Sequence, residues 1–356
     1  MARDAMKTSR PSPLARGALL ALSSAVLFGA STPLLRVCGN GVGPWSTAAL
    51  LYTGAVCVGL IGGGLRGGRT RLRPGLTSRL VVAAFCGAAL GPAALAWGVQ
   101  RTSAVSASLM LNLEAVLTVG LAALFYREPI GRRVALAAGL IVSGGVLLVI
   151  ERSGFGSVEM WGLLGAAVAT IMWALDNTIA RPLADWDTGV IVIRKAALGT
   201  LISLIVALIS GEMYPPIAKV AALILIGAFG YGLSLYLYLL SQRQFGAART
   251  ASVFAAGPFL GAALAFAIGD RTFELWAVLG GILMLIGVVL HITERHEHHH
   301  AHQAIGHEHV HRHDDLHHSH SHEQPLDGEH SHGHSHQAIR HSHPHAPDLH
   351  HVHGHQ

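Results

Sequence analysis

The sequence is short of charge. Only 13% of its 356 residues are Asp, Glu, Lys or Arg, while 51% are hydrophobic. Soluble domains carry about a quarter charged residues, so a soluble globular class is excluded. Histidine is missing from the whole apolar part: all 25 histidines lie at or after His291. No Ser-His-Asp set, P-loop or Gly-rich nucleotide fingerprint stands there either, so no enzyme and no nucleic-acid partner is expected. Cysteine is scarce. Cys38, Cys57 and Cys86 lie in or beside different apolar segments without CxxC spacing, which argues against a disulfide framework or a zinc ribbon. They read as small hydrophobes.

What is abundant is the long apolar run. Such runs cover Gly17 to Leu35, Trp45 to Leu65, Leu80 to Val99, Ala104 to Tyr126, Val134 to Ile150, Trp161 to Ala180, Gly189 to Ile209, Ala221 to Leu240, Ala247 to Ile268 and Phe273 to Ile292. A bilayer core about 30 Å thick needs about 20 such residues per helix, so ten transmembrane helices are predicted. The first run is read as an uncleaved span rather than a signal peptide. With the N-terminus inside, fifteen basic residues fall in cytoplasmic segments and five (Arg36, Arg101, Arg152, Lys219, Arg271) outside. That bias puts both termini in the cytoplasm, across the cytoplasmic membrane.

The chain also repeats itself. A shift of 142 residues lays Gln100-Arg101 on Gln242-Arg243, Glu128 on Asp270 and Gly145-Val146 on Gly287-Val288. An odd number of spans per half forces two five-helix halves into opposite orientations, the architecture of alternating access. The segments are therefore a cytoplasmic stretch at 1–16, a first repeat at 17–150, a second at 151–292 and a tail at 293–356. Gly87-x-x-x-Gly91 and Gly257-x-x-x-Gly261 offer close-packing faces. The oligomeric state is open, and a homodimer is compatible with it.

Glu114 is the least comfortable residue in this pattern. It sits near the middle of Ala104 to Tyr126, and a carboxylate at the bilayer centre costs about 2.5 to 3.5 kcal/mol on insertion scales. On a continuous helix Thr118 shares its face, whereas Asn112 and Ser108 lie opposite. Asp176-Asn177 in the sixth run and Arg194-Lys195 in the seventh lie at similar depth from the cytoplasmic side, as an ion pair requires. The pathway candidates are thus Glu114, Asn112, Thr118, Asp176, Asn177, Arg194 and Lys195. Two structural readings compete: Arg194 and Lys195 snorkelling to the inner interface, and Glu114 paired with Lys195.

Ten helices, tandem five-helix repeats, Phe28-Gly-x-x-x-Pro33 in the first run, and acidic residues closing the fourth and ninth (Arg127-Glu128-Pro129, Gly269-Asp270) together resemble the EamA-type branch of the drug/metabolite transporter superfamily. The resemblance covers roughly Arg16 to Ile292. It implies a secondary transporter, a central cavity between the halves, and helices four and nine near its middle. The common pattern has proline in the middle of helix four; here Glu114 stands close to that place, while Pro258 keeps it in helix nine.

The tail alternates histidine with other residues: His307, His309, His311 and His313; His318, His320 and His322; His330, His332, His334 and His336; His341, His343 and His345. Few apolar residues interrupt it, so no packed core and a disordered tail are expected. Closely spaced neutral imidazoles suit Zn²⁺, Ni²⁺, Co²⁺ or Cu²⁺, although no cofactor is required by anything in the spans. Three functions stay open: an exporter of small organic solutes with a metal-binding regulatory tail, a divalent-metal transporter with the tail as cytoplasmic collector, and a metal-sensing or storage membrane protein without flux.

Overall fold

The computed structural model describes residues 13–61, 74–127, 130–153, 157–183, 188–245, 247–271, 275–293, 297–301, 305–311, 330–336 and 340–344. The chain divides into two compact units, Met1–Glu294 and Arg295–Gln356. In the first unit ten helices are long and apolar enough to cross a membrane. They are Ala15–Gly39, Pro44–Ile61, Gly75–Val99, Ala104–Tyr126, Arg132–Glu151, Ser157–Leu183, Gly189–Ile209, Ile217–Gln242, Arg249–Ala267 and Leu275–Ile292. The first unit is all-α, a multi-pass membrane protein fold built as two inverted five-helix repeats.

Packing follows the repeat. The first span packs on the eighth and ninth, and its counterpart, the sixth, packs on the third and fourth. The second meets the seventh and the fifth meets the tenth, as a pseudo-two-fold axis between the repeats requires. Small residues permit these approaches. At Gly144 an added Cβ would lie 2.5 Å from the Gly280 carbonyl oxygen, so the fifth and tenth spans touch backbone to backbone. Large apolar side chains such as Leu19, Leu204 and Ile282 are left exposed on the bundle surface, as lipid contact demands.

Two features depart from the expected uninterrupted helices. The fourth span breaks between Ala104–Met110 and Leu113–Tyr126, and the ninth between Ala247–Phe254 and Gly257–Ala267. In the ninth, Pro258 at the start of the second half lacks an N–H and excludes the preceding helical carbonyl, so the break is imposed locally. In the fourth no proline is present. Asn112 instead turns its side chain onto its own backbone, Nδ2 donating to Leu109 O at 3.0 Å, and competes with the helical ladder. Expected on the face opposite Glu114, Asn112 lies in the break itself. The fourth span ends on Arg127 with φ 55 and the ninth on Gly269 with φ 107, positions 142 residues apart and both left-handed.

The second departure is also duplicated. The third span carries a π-helical segment at Phe85–Leu90 and the eighth carries one at Gly227–Leu233. A π segment skips the regular ladder and releases backbone carbonyls, a device frequent at functional sites.

In the second unit, Glu297–Ala301 pairs antiparallel with Arg340–Pro344, and Ile305–His311 with His330–His336. The His-x-His alternation of the sequence has the period of a strand. His313, His318, His320, His322 and His345 lie outside the described residues, as does Glu128.

Candidate functional site

The break in the fourth span determines where Glu114 sits. Leu113 and Glu114 open the second half-helix, and Gly257 and Pro258 open its counterpart in the ninth, so Glu114 and Pro258 are each the second residue of a half-helix, two residues out of the 142-residue register that Arg127 and Gly269 keep. There the carboxylate lies in the first turn of a helix, where the partial positive charge of the free N–H groups favours an anion.

Glu114 is half-buried, and its Oε1 accepts a hydrogen bond from Asn177 Nδ2 at 2.7 Å. Asn177 belongs to the sixth span, so the bond joins the two repeats. Its neighbour Asp176 has a different partner. Lys195 on the seventh span donates to Asp176 Oδ2, forming an ion pair with the Lys195 side chain 22% exposed and that of Asp176 5% exposed. Lys195 is thus bound to Asp176 rather than to Glu114. Asp176 Oδ1, by contrast, is buried without a hydrogen-bond partner. A carboxylate so enclosed depends on its cation, because an unpaired buried charge costs several kcal/mol.

Gly87 ties this pair to the π segment. A Cβ there would overlap Asp176 Oδ2, so only glycine allows the third span to lie against the carboxylate. The Gly87 carbonyl accepts from Tyr52 Oη at 2.7 Å and from Trp173 Nε1 at 3.0 Å. One peptide group in the third span therefore holds side chains from the second and sixth. Around it stands an aromatic cluster drawn from both repeats. Phe28 lies 6.1 Å from Trp173, 6.2 Å from Tyr231 and 5.3 Å from Phe254, ring centre to ring centre, and Tyr52 lies 5.7 Å from Tyr231.

Of the residues singled out by sequence, Glu114 and Asn177 meet, as do Asp176 and Lys195. Asn112 is buried in the break beside them, its amide committed to Leu109. Thr118, one turn beyond Glu114, is half-buried. Arg194, also half-buried, adjoins Lys195 in sequence but takes no part in the Asp176 ion pair. Tyr52, Trp173, Tyr231 and Phe254 carry no signal in the sequence, since an aromatic in an apolar run looks like any core residue; Gly87 stands out there only as a close-packing residue and Phe28 only in the first-helix motif. Among the described residues no group of three His, Cys, Asp or Glu is placed to hold a metal ion.

The fold has counterparts among known proteins. A crystal structure of a protein superposes with a TM-score of 0.58, covering 77% of this chain and 95% of that one at 18% identity, which shows a shared fold. A protein of Methanothermobacter thermautotrophicus described as an uncharacterized transporter is 28% identical over 216 residues, 59% of this chain. The match spans 63% of that relative's length. The model of the EamA-like transporter family matches residues 15–150 and again 160–293, once for each repeat.

Proposed function

We propose that this chain, which belongs to the EamA-like transporter family, exports a small metabolite or drug-like solute across the cytoplasmic membrane by alternating access. The observation that carries the reading is the Glu114–Asn177 hydrogen bond between two discontinuous or π-distorted repeats. Polar groups exposed within a span are tolerated where they face a water-filled cavity, not lipid, so this pair marks the path. Glu114 is the coupling group. It binds a proton or a cationic part of the solute, and its neutralisation lets the empty carrier reorient without moving a buried charge. Asp176 and Lys195 fix the sixth and seventh spans beside it, and Asn112 and Thr118 add polar atoms along the fourth. Arg194 faces the inner interface.

The histidine-rich tail is the regulatory part of this reading. Its imidazoles supply the nitrogen donors that late first-row divalent ions prefer, and Glu308, between His307 and His309, adds oxygen. A second reading, a divalent-metal transporter with the tail as collector, draws on that same composition. The central cluster favours the organic solute, because its donors are carboxylate and amide oxygens, mediocre ligands for Zn²⁺ or Ni²⁺, and a lysine stands among them. Flux in sealed vesicles separates the readings. Solute efflux that persists without metal and changes in rate when metal is added supports the first. Uptake of metal that disappears in a chain ending at Glu294 supports the second, and no flux of either kind leaves only metal sensing or storage.

A further inference from the structure

The loops that follow spans one, three, seven and nine lie at one end of the bundle, and there polar contacts cross from one repeat to the other. Glu212, between spans seven and eight, accepts from the Trp45 N–H through Oε1 at 3.1 Å and from the Ser46 N–H through Oε2 at 2.7 Å. Trp45 and Ser46 form the first turn of the second span, where N–H groups have no acceptor within the helix. Both carboxylate oxygens are therefore used, on a helix end whose partial charge favours them.

The seat is shaped for this group. A Cβ on Gly43 would overlap the Glu212 carboxylate, so the glycine leaves the room the acid fills. Beside it Lys219, at the start of span eight, donates to the Asn40 carbonyl in the same loop as Gly43. A second acid repeats the pattern: Asp270, after span nine, accepts from the Ala104 N–H at 2.5 Å, where span four begins. In each case the second repeat supplies the acid and the first supplies the backbone donors.

We propose that Glu212 is the gate residue of this end of the carrier: seated over Gly43 on the start of span two, its carboxylate clasps the repeats together and must leave that seat whenever the protein opens to this side. The proposal rests on the alternating-access reading above, and the orientation proposed from the basic residues makes this the outer side. Its physical basis is the exchange of two charge-assisted hydrogen bonds for water on opening. Losing them shifts the balance between closed and open forms without touching the central cluster.

The test needs no substrate. Cys86, buried beside Gly87, serves as a native reporter of the centre once Cys38→Ser and Cys57→Ser leave it as the sole thiol. Glu212→Ala removes the carboxylate, Gly43→Ala fills its seat, and Glu212→Gln keeps the shape but leaves one oxygen for two N–H donors. A membrane-impermeant maleimide is applied to whole cells and, separately, to inverted vesicles. Cys86 is expected to label about tenfold faster in Glu212→Ala and Gly43→Ala, and less markedly faster in Glu212→Gln, from one membrane side only. That side is the one the clasp closes. Unchanged labelling from both sides, in variants that purify as monodisperse protein, overturns the proposal. Because labelling is read without flux, a faster rate in a chain that transports nothing would sink the transporter reading and leave the clasp standing, and the reverse result would do the opposite.

Discussion

Asn177 and Glu114 are held at 2.7 Å, amide to carboxylate, across the boundary between two repeats that run in opposite directions through the membrane. The geometry depends on the break after Met110, which turns what would be a mid-helix glutamate into a first-turn residue. Pro258 opens the corresponding half-helix of the other repeat without bringing a charge. The two half-helices are thus alike in backbone and unlike in chemistry, so the protein is asymmetric at its centre.

The ion pair beside that centre is expected to be structural. Lys195→Met leaves Asp176 buried without its cation and should cost about 3 to 5 kcal/mol, visible as a fall in the thermal midpoint of the detergent-solubilised protein. Adding Asp176→Asn to Lys195→Met should recover most of the loss. If Lys195→Met alone melts like the parent, the pair does not hold the sixth and seventh spans together.

Gly87 should tolerate no side chain. Gly87→Ala drives a methyl group into Asp176 Oδ2 and should destabilise the protein by about 1 to 3 kcal/mol. Tyr52→Phe and Trp173→Phe each remove one of the two donors to the Gly87 carbonyl and should cost only about 1 kcal/mol, since the other donor remains. A double variant that costs clearly more than the two single losses together is the expected signature of a shared acceptor. Strict additivity would count against it.

Orientation is checked by position. Reporter fusions after Thr293, or cysteines placed near either end and labelled from one side, should locate both termini in the cytoplasm. An external tail would reverse the assignment of every loop.

The tail should bind several late first-row divalent ions at neutral pH and release them below about pH 6, because ligation needs neutral imidazole. Calorimetry on the full chain, compared with one ending at Glu294, isolates this contribution. Equal binding by the two chains would remove the tail from the account. Flux should survive the truncation and lose only its response to metal.

Much of this architecture is legible in the sequence, because in a membrane length and hydropathy leave few alternatives. The ten spans follow from apolar runs, and the repeat follows from Gln100-Arg101 recurring at Gln242-Arg243. Glu114 and Asp176 stand out because carboxylates in apolar runs are costly. The breaks are less legible. Ala256-Gly257-Pro258 contains a breaker, whereas Leu111-Asn112-Leu113 contains none, and only the place of each turn near the middle of its span relates them. The π segments leave just a scatter of glycines as a trace. Glu212 could not be distinguished from an ordinary loop acid, since its partners Trp45 and Ser46 lie more than 160 residues away and contribute only backbone atoms.

In the proposed cycle the Glu114 carboxylate drives export. The most direct measurement compares the solutes released by a strain lacking the protein, the same strain carrying the parent chain, and the same strain carrying Glu114→Gln, with equal protein confirmed in the membrane. Glutamine keeps an oxygen for Asn177 and loses the charge. A set of solutes that appears outside with the parent chain, and falls to the deletion level with Glu114→Gln, is the predicted result. Release by Glu114→Gln at the parental rate would contradict it.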